Sequence, residues 1–195
     1  MSEETKQGLP IVQLPDPAAW EQWLEEHHAT VAGAWLKFAK KGTGARTVVY
    51  AEALESALCF GWIDGQVARH DEIYYLQRFT PRTKRSKWSQ INVKHATRLI
   101  EAGRMRPAGL AHVQAAQSDG RWEQAYEAQS QATVPADFQA ALDVHPRAAA
   151  FFATLTGSTR YAFLYRLHHV KRPENRAKRI ADYIERLNAG RTLDD

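Results

Sequence analysis

Cysteine and long apolar runs are scarce in this chain, and each scarcity closes off a class of protein. The single cysteine, Cys59, excludes an internal disulfide framework and a multi-cysteine zinc site. It places the chain, by expectation, in the reducing cytoplasm. No stretch approaches the roughly 18 consecutive apolar residues that a membrane-spanning helix requires. The opening residues Met1 to Gln7 are polar and acidic. They lack the basic start and apolar stretch of a secretory signal, which again points to the cytoplasm. No Walker A loop, strand-linked GxGxxG, HExxH or GxSxG motif is present. The histidines His27-His28 and His168-His169 are adjacent pairs. Neighbours on a helix point about 100° apart, so neither pair makes a two-histidine metal face. One member of each pair is expected to pack and the other to meet solvent. Neither metal nor cofactor is expected.

What is present describes a folded protein. The 195 residues are 44% hydrophobic and 25% charged, enough apolar material for a real core in one domain or two small ones. The net charge of +4 is unevenly spread. Residues 1–66 carry a net of −4, residues 67–106 a net of +7, and residues 107–195 a net of +1. A basic middle segment either attracts an anionic partner or forms a solvated face.

Asp16 and Pro17 read as N-cap and first residue of a helix whose apolar face is Trp20, Trp23, Leu24 and His27. Residues 34–40 read as a strand with Leu36 and Phe38 on one face, and residues 50–60 as a helix closed by Gly61. Residues 62–68 and 72–79 form a candidate antiparallel hairpin. A helix follows from 88 or 89 to Glu101. Beyond Pro107 the pattern is helical throughout: residues 108–118, 135–143, 146–155, 159–170 with Ser158 as N-cap, and 173–189. The fold class is therefore α+β, a small antiparallel sheet packed with helices in the N-terminal half and an all-helical C-terminal half. The expected divisions are a flexible segment over 1–15, an α+β domain over 16–106 and a helical region over 107–195.

Chemistry-bearing residues concentrate between Cys59 and Asn92. Alternation places Trp62, Asp64 and Gln66 on one strand face, an apolar body with an acid and an amide. Arg78 lies on the paired strand with Tyr74 and Leu76. Whether it meets Asp64 depends on a register that the sequence leaves open. Beyond it, Arg82, Lys84, Arg85, Lys87 and Trp88 interleave cations with an aromatic ring, a pattern able to clamp phosphate or carboxylate. Ser86 or Ser89 equally serves as a helix cap there. The candidate ligand-binding set is Trp62, Asp64, Gln66, Arg78, Arg82, Lys87, Trp88 and Asn92, read first as a binding site for an anionic small molecule or protein partner. Two alternatives stand beside it. One is a small-molecule enzyme with Asp64 as acid or base, its pKa raised by desolvation or lowered by arginine. The other is nucleic-acid binding through the 78–106 segment with Arg172, Arg176, Lys178 and Arg179. Against the latter, no stacking platform or groove-reading helix is evident, and Glu174 with Lys178 and Asp182 with Arg186 stand at i, i+4 pairing distance.

The segments Tyr50–Glu55, Ala57–Gly65, Tyr75–Arg82, Ser86–Asn92, Gly103–Gly109, Asp119–Trp122 and Lys171–Ile180 together resemble the bacterial YdeI/OmpD-associated family of bacteriocin-protection proteins. Val48-Val49 departs from the pattern, where a Ser or Thr cap is expected before Tyr50. The resemblance implies a role in bacterial stress or antimicrobial-peptide resistance. It also implies an indirect association with an outer-membrane porin. It supplies no catalytic residues.

Overall fold

Asp16 and Pro17 open the first helix, α1 (Pro17–His27), in the computed structural model, which describes residues 4–195. The Asp16 carboxylate accepts from the Ala19 N–H at 2.9 Å, satisfying one of the donors a helix start leaves open. The chain forms two units: residues up to Trp88 with Asn92–Ala125, and Ser89–Ile91 with Tyr126–Asp195.

The first unit is built on a five-stranded sheet. Its strands are β1 (Thr5–Lys6), β2 (Leu9–Val12), β3 (Ala34–Ala39), β4 (Trp62–Arg69) and β5 (Tyr74–Pro81), in the order β1-β2-β3-β5-β4. The expected hairpin is β4–β5, antiparallel. The sheet as a whole is mixed, not purely antiparallel, because β2 runs parallel to β3. Parallel neighbours need a crossover, and α1 supplies it. The stretch before residue 16, expected to be flexible, therefore holds two strands, with residues 1–3 outside the described residues. Pro10 inside β2 hides that strand from a propensity reading, since proline lowers the score of any strand interior.

Each sheet face carries an apolar cluster. Leu36, Phe38 and Phe79 face α1 and α2 (Tyr50–Cys59) and enter the main core with Trp20, Leu24, Leu58 and Trp62. On the other face Trp35 and Leu76 pack with Leu9, and Trp35 Nε1 donates to the Lys6 carbonyl at 3.0 Å. Val49 stands at the start of α2 without a side-chain cap, the departure noted in the sequence. Cys59 is buried as a small apolar group, and burial pushes its thiol up to about 11.

The helices α3 (Gln90–Glu101) and α4 (Pro107–Ser118) follow. Though α4 continues the run of helices after residue 107, it belongs to the first unit. Gly109 is the reason it fits: a Cβ there would stand 2.3 Å from the Cys59 carbonyl oxygen and 2.8 Å from that of Leu58. Only glycine permits that approach of α4 to the end of α2.

The second unit is helical: α5 (Ala136–Asp143), α6 (Pro146–Thr154), α7 (Gly157–His168) and α8 (Pro173–Asn188). Phe138, Phe152, Phe163, Leu167, Tyr183 and Leu187 form its core. Ser158 does not cap α7; Thr156 is the N-cap, and the Arg160 N–H reaches the Thr156 carbonyl at 3.4 Å. Gly157 makes this earlier start workable by adopting φ of 54°.

Candidate functional site

The β4–β5 register decides what the nominated strand residues do. Asp64 stands opposite Phe79 and Trp62 opposite Pro81, so these four share the face of the main core. Arg78 is next to Phe79 in sequence and hence on the reverse face, where it stands opposite Trp35. Asp64 and Arg78 therefore point apart, and no ion pair joins them among the described residues. The Asp64 carboxylate instead accepts from the Tyr50 hydroxyl at 2.7 Å. Desolvation, then the hydrogen bond to Asp64 and that carboxylate's charge, push the Tyr50 hydroxyl well above the usual phenol range.

Gln66 is separated from the other two by an irregularity. The register shifts between Asp64 and Val67, so strict alternation fails and Gln66 is exposed. The buried Gln77 amide donates to the freed Gly65 carbonyl at 2.9 Å. Trp62 is 1% exposed and packs edge-on against Trp20 and Trp23. Its indole N–H donates to the His28 carbonyl at 3.1 Å. This ring is core.

The second half of the set does come together. The Arg82 guanidinium lies 3.6 Å from the centre of the Trp88 ring, and its Nη1 donates to the Lys87 carbonyl at 3.2 Å. Arg82, Trp88 and Asn92 are buried, and Trp88 packs edge-on against Trp122. Lys84, Arg85 and Lys87 remain exposed along the same loop. Burial and then the charges of Arg82 and Arg121 lower the pKa of nearby His112. Arg82 thus braces the loop, with its stem and plane packed on an indole.

Cations with fewer commitments gather in the second unit. A groove of about 640 Å³ follows the end of α7 and the first turns of α8, lined by Lys171, Arg172, Lys178 and Arg179 with Asn175 and Asp182. All six are exposed. The one acid among them, Asp182, is engaged with Arg186 at 3.5 Å. The pairing expected between Glu174 and Lys178 is not made among the described residues. Arg176, nominated with these cations, is turned to structure: its Nη2 donates to Asp137 at 2.9 Å and its Nη1 to the Leu167 carbonyl at 2.8 Å. That contact holds the Asp137 carboxyl below its usual range. Four cations, one engaged acid and the positive end of a 16-residue helix make this an anion-attracting surface.

The sequence reading missed a pocket of about 240 Å³ lined by Tyr126, Tyr161 and Tyr165 with Glu127. A signal was available: Tyr161, Tyr165 and His168 recur at i, i+4, i+7 on one face of α7. Tyr126 lies in an irregular stretch and offered none. No helix among the described residues is long and apolar enough to cross a membrane.

Together these features define an α+β protein in which a sheet-and-helix unit is joined to a helical unit bearing a cationic groove. Residues 12–112 match the family model of a domain of unknown function, DUF8412, and residues 131–190 match the model described as Bacteriocin-protection, YdeI or OmpD-Associated. The first match spans more than half of the chain, which belongs to that DUF8412 family; the second covers under a third of it, in the C-terminal part. The second match bears out the family read from the motifs. It is carried by the Lys171–Ile180 segment's region, whereas Ala57–Gly65 and Tyr75–Arg82 fall inside the first match. No curated protein and no solved structure matches the chain.

Proposed function

We propose that this protein serves bacteriocin protection by binding an anionic ligand, phosphate- or carboxylate-bearing, in the α8 groove. The observation that carries the reading is the charge imbalance there: Lys171, Arg172, Lys178 and Arg179 face one acid, and that acid is already paired. The groove lies inside the segment matched by the bacteriocin-protection model, whose description also names an OmpD association. An acidic face on a protein partner would meet the same cations.

Calorimetric titration with inorganic pyrophosphate and with citrate tests the reading at about 50 and 200 mM salt, since binding through neutralised charge weakens as salt rises. Saturable binding that Arg172→Ala with Arg179→Ala reduces by about tenfold or more is expected. Failure of both anions to bind at the lower salt sinks it. Tight, steeply salt-dependent binding of duplex DNA would favour the nucleic-acid alternative. The second reading keeps the original clamp, because Lys84, Arg85 and Lys87 stay exposed beside the braced Arg82. For the enzymatic alternative, Asp64→Asn against wild type in a hydrolase and isomerase screen is decisive.

A further inference from the structure

The tyrosine pocket of the second unit differs from the groove in every electrostatic respect. None of the residues lining it is lysine or arginine. Its one fixed charge is the Glu127 carboxylate, which accepts from the Thr133 N–H at 2.8 Å and is held in place by that bond. Leu164, Pro135 and Ala132 give the wall its apolar part, and Gln90 and Thr133 add neutral polar groups. His168 is the one lining side chain able to become cationic.

The ring arrangement narrows the ligand. Tyr126 and Tyr165 meet at 5.0 Å with their planes at 88°, and Tyr161 and Tyr165 at 5.6 Å with planes at 45°. Tyr126 and Tyr165 pack edge to face, and His169 packs the same way on Tyr165 at 4.5 Å and on Tyr126 at 5.9 Å, so the cluster turns inclined surfaces, and no parallel slot for a flat ring, toward the pocket. Aromatic faces carry negative quadrupole potential, so a cation placed among them is attracted, more strongly where water is excluded. The Tyr161 hydroxyl donates to the Glu127 carbonyl at 2.7 Å, which fixes the ring independently of any ligand. Burial first, and then the charges of Tyr126, Tyr165 and Glu127, push that hydroxyl up to about 12. At about 240 Å³ the space is smaller than the roughly 300–1,000 Å³ of drug-sized sites, and fits a small ligand.

We propose that this pocket binds a small organic ammonium cation, its alkylated nitrogen seated among Tyr126, Tyr161 and Tyr165 and balanced by Glu127. The site is separate from the α8 groove and does not depend on an anion binding there.

The test uses the full chain at pH 8, titrated calorimetrically with choline and with 3,3-dimethylbutan-1-ol, a neutral molecule of the same shape. Saturable choline binding, at least about tenfold tighter than that of the neutral isostere, is expected. Glu127→Gln keeps the acceptor and removes the charge, and is expected to weaken choline several-fold while leaving the isostere unchanged. Tyr161→Phe keeps the ring and is expected to retain binding. Tyr165→Leu is expected to abolish it, with circular dichroism reporting that α7 remains folded. Equal affinity for choline and the isostere overturns the proposal, as does binding of neither. So does choline affinity that Glu127→Gln leaves untouched.

Discussion

Several arginines of the first unit are bound into the fold, whereas two of the second line an open groove. In the first unit Arg82 is buried on Trp88, Arg104 reaches Glu21 at 2.9 Å, Arg98 pairs with Glu55, and Arg121 holds Asp119 at 2.8 Å. In the second unit Arg176 is likewise engaged, but Arg172, Arg179 and their lysine neighbours line an open groove. A dense cluster of cations and aromatics in a sequence therefore serves to brace a fold as readily as to hold a ligand. Aromatic rings beside arginines are as well suited to packing one another as to holding a partner.

The comparison breaks most visibly in the first core. Trp62→Ala removes a ring packed against two other tryptophans and is expected to cost about 3–5 kcal/mol in denaturant unfolding. Were Trp62 instead a ligand contact on an open face, the loss would be close to zero. Gly109→Ala comes next: the added methyl meets backbone oxygens of α2, and about 1–3 kcal/mol should be lost. An unchanged unfolding midpoint would mean that α4 does not approach α2 as described.

Arg176→Ala tests the one nominated C-terminal cation that is structural. It removes a charged hydrogen-bond pair and a carbonyl contact, and about 1–3 kcal/mol of stability should go. The pH sign follows from Asp137, whose folded pKa is held below the unfolded value. Its contribution is present above about pH 4 and is lost as pH falls through the folded value. The variant should show a shallower acid dependence than wild type over that window. His112 gives a second sign. Its folded pKa is lowered, so its contribution is present above about pH 6.5 and declines as pH falls. His112→Gln should flatten that decline in unfolding experiments between about pH 5 and 7.

The smallest effect on stability belongs to the groove. Lys178→Ala exposes nothing and is expected to shift stability by no more than about 0.5 kcal/mol while weakening pyrophosphate. A large destabilisation would show that the groove cations are structural after all.

Much of the fold was legible in the sequence. Asp16-Pro17 signalled α1, Gly61 the end of α2, and Leu36 with Phe38 the inward face of β3, because capping, glycine turns and alternation are local rules. The strand β2 was not legible, since Pro10 argues against a strand and its pairing with β3 is set by a crossover. The placement of the nominated side chains was less legible. The separation of Asp64 from Arg78 depends on strand register, and the exposure of Gln66 on an irregularity; neither is written in any local pattern. The α8 cations were visible as charges, but not that Arg176 alone would be taken up by Asp137.

The central claim is that anion binding belongs to the second unit's groove and not to the loop around Arg82. Pyrophosphate titrated at about 50 mM salt into wild type, Arg172→Ala with Arg179→Ala, and Lys84→Ala with Lys87→Ala tests it most directly. The account predicts a loss of about tenfold or more in the groove variant and a change below about threefold in the loop variant. The reverse ranking, with the loop variant losing affinity and the groove variant retaining it, would contradict the account.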